Sequence, residues 1–341
     1  MKLKIIGLLL SLLLLGGCGA AQGQTQKAER TLFAMDTYIT LVAYGEGGTE
    51  ALSAVEGCIC ELEALLSVTD EGSDIYAINH SLGQPVKVST ETVEILDFSL
   101  KAAKQTGGTF DPTIYPILTA WGFTTGSYHL PSQSEIDGLL CLVGYEEVQV
   151  WGYEVLLPQG AQIDLGAVAK GYAGDVAAEL LKEHGISSAI VNLGGNVQTV
   201  GAKPDGSAWR IGVKAPGTND NFGILEVRDL AVVTSGGYER HFTGENGEVY
   251  WHIMDPSLGK PSHSGIVSAT VVAKEGRLSD AFSTAVFVMG TDRAADFWRK
   301  NSGFEMLLLN EDNEIYITKG LEDVFTLAED YASYSITVIE P

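Results

Sequence analysis

The sequence predicts an α+β domain whose helices lie mainly in the N-terminal half and pack on a mixed β-sheet. Helix-periodic segments dominate to about residue 142, and short β-rich runs dominate from residue 148. The two never settle into the regular βαβ alternation of a doubly wound sheet. A length of 341 residues suits one large domain or two small ones, and 45% apolar with 19% charged content is that of a folded, globular chain.

The elements follow in order. Thr31 to Tyr44 alternates well enough for a strand. Helices are expected over Thr49–Leu66, Ser73–His80 and Ser89–Thr106, the last opening on Ser-Thr-Glu and stopping at Gly107-Gly108. Residues 109–122 are punctuated by Pro112 and Pro116 into a turn and a short helix, and Ser132–Leu142 is another helix. Strands are then expected at Val148–Val150, Val155–Leu157, Ala189–Val191, Val197–Gly201, Trp209–Val213 and Ala231–Thr234. Among them Ala167–His184 reads as an amphipathic helix, with Val168, Tyr172, Val176 and Leu180 on one stripe and Gly185 as its stop. A strand-helix-strand series closes the pattern over Ile266–Thr318, leaving Leu321–Pro341 without an assigned role.

The N-terminus carries a different signal. Met-Lys-Leu-Lys precedes an apolar run, Ile5 to Gly17, that is shorter than the roughly 20 residues a spanning helix needs. Gly16-Gly17 before Cys18 has the small-residue pattern of a bacterial lipobox. Residues 1–17 are therefore expected to be a lipoprotein signal peptide, residues 18–30 a diacylated Cys18 with its tether, and residues 31–341 the folded domain. Two fatty chains would hold the protein at a membrane surface outside the cytoplasm, at the cell surface or in the periplasm. Cys58 and Cys60, two apart in a helix, point away from each other; with Cys141 they read as buried thiols rather than a metal or redox pair.

Charge narrows the partners. With 21 Lys+Arg against 44 Asp+Glu the net charge is -23, which excludes a nucleic-acid role because phosphate backbones need a basic face. Four blocks have the residue types for chemistry. In Asp164-Leu165-Gly166-Ala167-Val168-Ala169-Lys170, a strand end, a glycine turn and a helix start would offer amides and the Lys170 charge to a phosphate, or Asp164 would simply cap the helix. Asn192-Leu193-Gly194-Gly195-Asn196 allows close backbone approach or a hairpin turn, and lacks the spacing of a Rossmann or P-loop motif. His252 could exchange a proton near neutral pH, held by a turn at Asp255-Pro256 and Gly259. If Ser279 caps the following helix, Asp280 and Thr284 at i and i+4 present oxygen ligands suited to a hard cation such as Mg2+.

Together, AMDT, FDPTIYPILTAWGF, IDLGAVAKGYAGD, NLGGN, TSGGYERHF, HIMDPSLGKP and SDAFSTAVFVMG resemble, in order, the blocks of the ApbE family of FAD:protein FMN transferases. The resemblance runs from about Thr31 to Thr318. It implies an exported enzyme that cleaves FAD, releases AMP and attaches FMN by a phosphoester bond to a threonine of an acceptor protein, such as an Rnf- or Nqr-type subunit or another extracellular flavoprotein. It implies FAD contacts at Met35, Tyr76, Thr109, Phe110, Asp111, Asp164, Lys170, His252 and Met254. Mg2+ ligation would fall on the main-chain carbonyl of Ala167 and the side chains of Asp280 and Thr284, with Ser283 adjacent; His252 and Asp280 would be the catalytic pair. Two positions depart from the family pattern: Asp36 stands where glycine is common, and Gly237 where an acidic or polar residue is. The same site with water as acceptor would be an FAD pyrophosphatase. A surface lipoprotein that binds flavin without transferring it is the alternative of another class.

Overall fold

The structure, a computed structural model, describes residues 26–341. The expected signal peptide, Cys18 and most of the tether lie outside the described residues. The tether's expected last residues are strand: the single predicted strand is a hairpin, β1 (Lys27–Ala34) and β2 (Thr37–Tyr44), paired Ala34 to Thr37. Met35 and Asp36 form its two-residue turn with φ of 51° and 57°. Aspartate tolerates the left-handed region better than most residues, and that region is why glycine suits position 36.

Seven further strands complete one sheet: β3 (Ser188–Leu193), β4 (Asn196–Gly201), β5 (Ala231–Gly236), β6 (Ile266–Ala273), β7 (Phe304–Asn310), β8 (Glu314–Thr318) and β9 (Ser335–Ile339). The nine lie in chain order across the sheet, and each neighbour is antiparallel except β8 and β9, which run parallel. The tail is therefore structural. Ser335–Ile339 forms an edge, and Phe325–Leu327 joins Asn221–Val227 and Trp209–Lys214 in a small second sheet.

The large sheet is covered on both faces, which is why β6 and β7 read as continuous apolar runs. Along β7, Met306 and Leu308 face the helices, whereas Leu307 and Leu309 join Trp209, Ile211, Phe222 and Leu225 under the small sheet. The helical layer comprises α1 (Gly48–Leu66), α2 (Asp74–Asn79), α3 (Thr90–Gln105), α6 (Ala169–Glu183) and α7 (Gly276–Lys300). Two short helices, α4 (Tyr115–Ala120) and α5 (Gln133–Leu140), build a lobe of their own with Trp121, Phe123 and Met254.

Three sequence expectations change. Cys60 and Cys141 are exposed and Cys58 is half-buried: Cys60 sits on the outer face of α1, and Cys141 caps α5, its thiol donating to Gly138 O. Val168 and Tyr172 are buried as expected, but Val176 and Leu180 are only partly covered, and the rest of α6's buried face is Gly171, Ala173, Gly174, Ala177, Ala178 and Leu181. Small residues let α6 approach α7 closely. A Cβ on Gly171 would run into the Gly276 carbonyl oxygen and lie 2.7 Å from the Asp280 Cβ. Finally, α7 begins at Gly276, so Ser279 is inside the helix and does not cap it.

Candidate active site

The site lies at one end of the large sheet, where the turns at Met35-Asp36 and Gly194-Gly195 and the end of β5 at Ser235 come together. Gly194 (φ 64°) packs so tightly on Thr37 that a Cβ would lie 2.8 Å from the threonine Cβ. Asn192 Oδ1 closes the same turn by accepting from Gly195 N at 2.8 Å. The NLGGN block is therefore a hairpin turn fitted against the β1–β2 turn. Met35 is half-buried there, and its amide donates to Glu63 Oε1 at 2.6 Å.

The loop before α6 is held from two sides. Asn79 pairs its side-chain amide with the Ile163 backbone, accepting from N at 2.7 Å and donating to O at 2.9 Å. Asp164 N donates to Pro112 O at 2.8 Å, which places the Thr109–Pro112 segment beside Asp164. Asp164 does not cap α6: its Oδ1 accepts from Gly166 N at 2.7 Å, and the residue before the helix, Val168, makes no side-chain cap. Burial pushes the Asp164 carboxyl up, opposed by the Gly166 amide and the charges of Lys170 and Arg240.

The expected phosphate cradle of free helix amides is largely spent. Val168 N and Ala169 N donate to Leu165 O, and Gly171 N donates to Asp280 Oδ2 at 2.8 Å. Gly171, the third residue of α6, carries one of the amides a helix start leaves without an intrahelical acceptor, and Asp280 takes it; the Ala167 carbonyl lies before the helix cap and accepts none of the turn and cap bonds around it. Anion attraction in this site accordingly rests on side chains. Lys170, whose Nζ lies 3.5 Å from Gly166 O, exerts its charge on Asp164, His252 and Asp280 together.

On α7, Asp280 is 5% exposed and its carboxyl is pushed up by burial, against the pull of Lys170, the Gly171 amide and Asn196. Asn196 Nδ2 is buried beside it with no protein partner in hydrogen-bonding geometry. One turn on, Thr284 Oγ1 lies 3.2 Å from Ser235 Oγ. Ser283 is turned to other work: its hydroxyl donates to Asp280 O at 2.8 Å and lies 2.8 Å from Ser235 Oγ. Among the described residues no three His, Cys, Asp or Glu side chains cluster as a metal site. The Ala167 carbonyl, the Asp280 carboxylate and the Thr284 hydroxyl are an all-oxygen set with one charge, which fits Mg2+, an ion that binds through few carboxylates and keeps room for water and phosphate.

His252 enters from the insertion between β5 and β6. Its amide donates to Arg240 O at 3.0 Å, and its Nδ1 lies 3.2 Å from the same oxygen. With the carbonyl as acceptor, Nδ1 carries the proton and Nε2 is the free base. Burial, then the positive charges of Arg240 and Lys170, hold the imidazole pKa down at about 4. The expected turn is present: Leu258 N and Gly259 N both donate to Asp255 O, and Gly259 O accepts from Trp121 Nε1 at 3.0 Å. Gly237 is explained by packing, since a Cβ there would lie 2.8 Å from the Trp251 ring.

Other expected FAD contacts have structural work. Asp111 is 8% exposed; Oδ1 accepts from Thr113 N and Oγ1, and Oδ2 from Tyr145 N, so it fastens residues 111–113 to 144–145. Thr109 and Phe110 are buried behind it, the Thr109 hydroxyl donating to Thr106 O at 3.1 Å. Met254 is 4% exposed in the core of the α4–α5 lobe, where it backs the His252 segment. Tyr76 stacks on His80 at 3.8 Å. Asn79, Asn196, Ser235 and Arg240 were not singled out from the sequence; the polar residues inside the TSGGYER and NLGGN blocks were the available signal for the last three.

The chain is similar to known proteins over this whole region. It is 29% identical to the FAD:protein FMN transferase of Treponema pallidum, covering 93% of this chain and 94% of that one. It is 31% identical to the enzyme of the same name from Klebsiella pneumoniae, covering 79% and 85%. The crystal structure of the ApbE protein of Thermotoga maritima superposes with a TM-score of 0.79 at 33% identity, covering 91% of this chain and 99% of that one. Residues 35–308, which contain every site residue described above, match the ApbE family model, and the chain belongs to the ApbE family.

Proposed function

We propose that this protein is an Mg2+-dependent FAD:protein FMN transferase that joins FMN to a threonine of an acceptor protein and releases AMP. The observation that carries the reading is the convergence of Lys170, Asp280 and a neutral His252 at one sheet end, with Thr284 one turn along α7 and the Ala167 carbonyl just before α6. Relatives across nearly the full chain bear that enzyme name.

Ala167 O, Asp280 and Thr284 would hold the Mg2+, and the bound ion supplies positive charge that polarises the phosphoryl oxygens of FAD. Lys170 and the Arg240 guanidinium bring the protein's own cations to a pyrophosphate that a chain of net charge -23 could not attract by its overall field. The acceptor threonine oxygen forms its bond to the flavin-side phosphorus while the bond from that phosphorus to the AMP oxygen breaks, and the electron pair leaves with AMP. His252 orients the threonine hydroxyl through Nε2 and takes its proton as the P–O bond forms. Such transfers depend chiefly on positioning and charge, so few reactive side chains are required.

The leader sequence supports export and anchoring through Cys18, which would bring the site to a membrane-bound acceptor of the Rnf or Nqr type or to another extracellular flavoprotein. Among the described residues no helix is long and apolar enough to cross a membrane. The test is to mix the protein with FAD, Mg2+ and a candidate acceptor and separate the products by denaturing electrophoresis. Flavin fluorescence should stay on the acceptor and vanish when its threonine is replaced by alanine. Free FMN with an unlabelled acceptor would instead make the site an FAD pyrophosphatase.

A further inference from the structure

We propose that Asp175 is a positioning residue for Asp280, acting through a reciprocal clamp between the N-terminal turns of α6 and α7. The proposal rests on the functional reading above, in which Asp280 holds the metal.

The clamp has two arms. Asp280 of α7 takes the Gly171 amide of α6 at 2.8 Å, and Asp175 of α6 takes the first amides of α7, from Gly276 and, at 3.0 Å, from Arg277. No side chain of α7's own flank does this capping. The first turn of α7 is therefore docked from the neighbouring helix, and Asp280 sits one turn beyond the docking point. Two glycines make the approach possible: a Cβ on Gly276 would be 2.5 Å from Gly171 O. The aspartate's charge is matched to the amides it receives, because a helix N-terminus favours a carboxylate.

The surroundings keep Asp175 in place and tie it to a third helix. From α7, Arg277 lies 3.8 Å from Asp175 and 2.9 Å from Glu275, and it reaches Glu94 of α3 at 2.9 Å. Tyr172, on Asp175's own helix, donates to the same Glu94 at 3.1 Å. From β4, buried Gln198 presents Oε1, an oxygen without a donor, 3.2 Å from where a Gly276 Cβ would be; Asp175 Oδ1 is equally near that point. Burial and Glu275 push the Asp175 carboxyl up to about 6, against the two amides and Arg277. Protonation would convert one oxygen from acceptor to donor, loosening the hold on α7. Asp175 binds protons more tightly folded than unfolded, so acidification through pH 6 favours the fold even as it weakens the clamp. Activity and stability should thus move in opposite directions through this group, which a merely structural residue would not produce.

The test compares wild type, D175N and D175A in the whole protein by two measurements: Mn2+ binding from the free-ion electron paramagnetic resonance signal, and hydrogen exchange of the Gly171 and Gly276–Arg277 amides. D175A should weaken Mn2+ binding by about tenfold or more and speed exchange at all three amides. D175N, which keeps one acceptor, should fall between, and its turnover should lose the pH dependence near 6. Unchanged exchange and unchanged Mn2+ binding in D175A would overturn the proposal. If wild type binds no Mn2+, the metal reading of the active site fails, while the exchange arm still decides the clamp.

Discussion

Gly171 and Asp280, 109 residues apart, share a hydrogen bond of 2.8 Å that satisfies an orphan amide at the start of one helix and fixes a carboxylate on another. The bond does two things at once: it orients Asp280 and satisfies an amide that the start of α6 would otherwise leave unpaired. Both consequences require a residue without a side chain at position 171, because a Cβ would overlap the Gly276 carbonyl.

Gly171→Ala should therefore abolish most activity and lower stability by about 1–3 kcal/mol, the range for overpacking a tight core. Gly174→Ala is the control. Its Cβ would make ordinary contacts at 3.4 Å and beyond, and the gain in helix propensity of up to about 1 kcal/mol should keep it folded at least as well as wild type. Thermal melts and turnover of the two variants check this.

Asp280→Ala should remove both transfer and FAD cleavage, since the constellation has one carboxylate and nothing else at that position replaces its charge. Thr284→Val, which keeps shape and loses the hydroxyl, should raise the Mg2+ concentration needed for half-maximal rate. Titrating Mg2+ against initial rate separates the two effects; wild-type behaviour in Asp280→Ala would remove the metal from this site.

The pH profile should distinguish His252. Its folded value of about 4 lies below the 6.5 of an ordinary imidazole, so the ring is neutral at pH 7 and stays so until strongly acid conditions. Its effect on stability is present above pH 6.5 and is lost as pH falls through about 4. The rate should follow the same acid limb, and His252→Gln should lower the rate by about 10²–10⁴-fold and remove that limb. An unchanged rate and profile would exclude His252 from proton transfer.

Asn79→Ala tests the support of the Asp164 loop. It removes a two-bond pairing with Ile163 and leaves a part-buried amide and carbonyl unpaired, a loss of about 1–3 kcal/mol. Denaturant unfolding should show that loss, and KM for FAD should rise as the loop loosens.

Three helices were legible to their first residue because they carry a local signal: Ser73, Ser89 and Ser132 are the N-caps found at α2, α3 and α5, whereas α1, α6 and α7 have no side-chain cap. The β1–β2 hairpin was not, because its turn is Met35-Asp36, without the glycine or asparagine that usually marks two residues at positive φ. Asp280 and Thr284 were visible as an i, i+4 pair on one helix. Asp175 and Asn79 were not, because their partners, Gly276 and Ile163, are main-chain groups far away in sequence, and backbone atoms leave no mark in a residue pattern. The seven ordered blocks pointed to the ApbE family, which the family match over residues 35–308 bears out. Several residues of those blocks, Asp111 and Ser283 among them, prove to brace the structure through hydrogen bonds of their own.

On the proposed function, this site passes FMN from FAD to a protein hydroxyl rather than to water. The direct measurement is the ratio of AMP released to FMN bound covalently on the acceptor during one time course with Mg2+. One AMP is expected for each acceptor-bound FMN, with both products absent in Asp280→Ala. AMP accumulating with free FMN, or transfer persisting in Asp280→Ala, would contradict it.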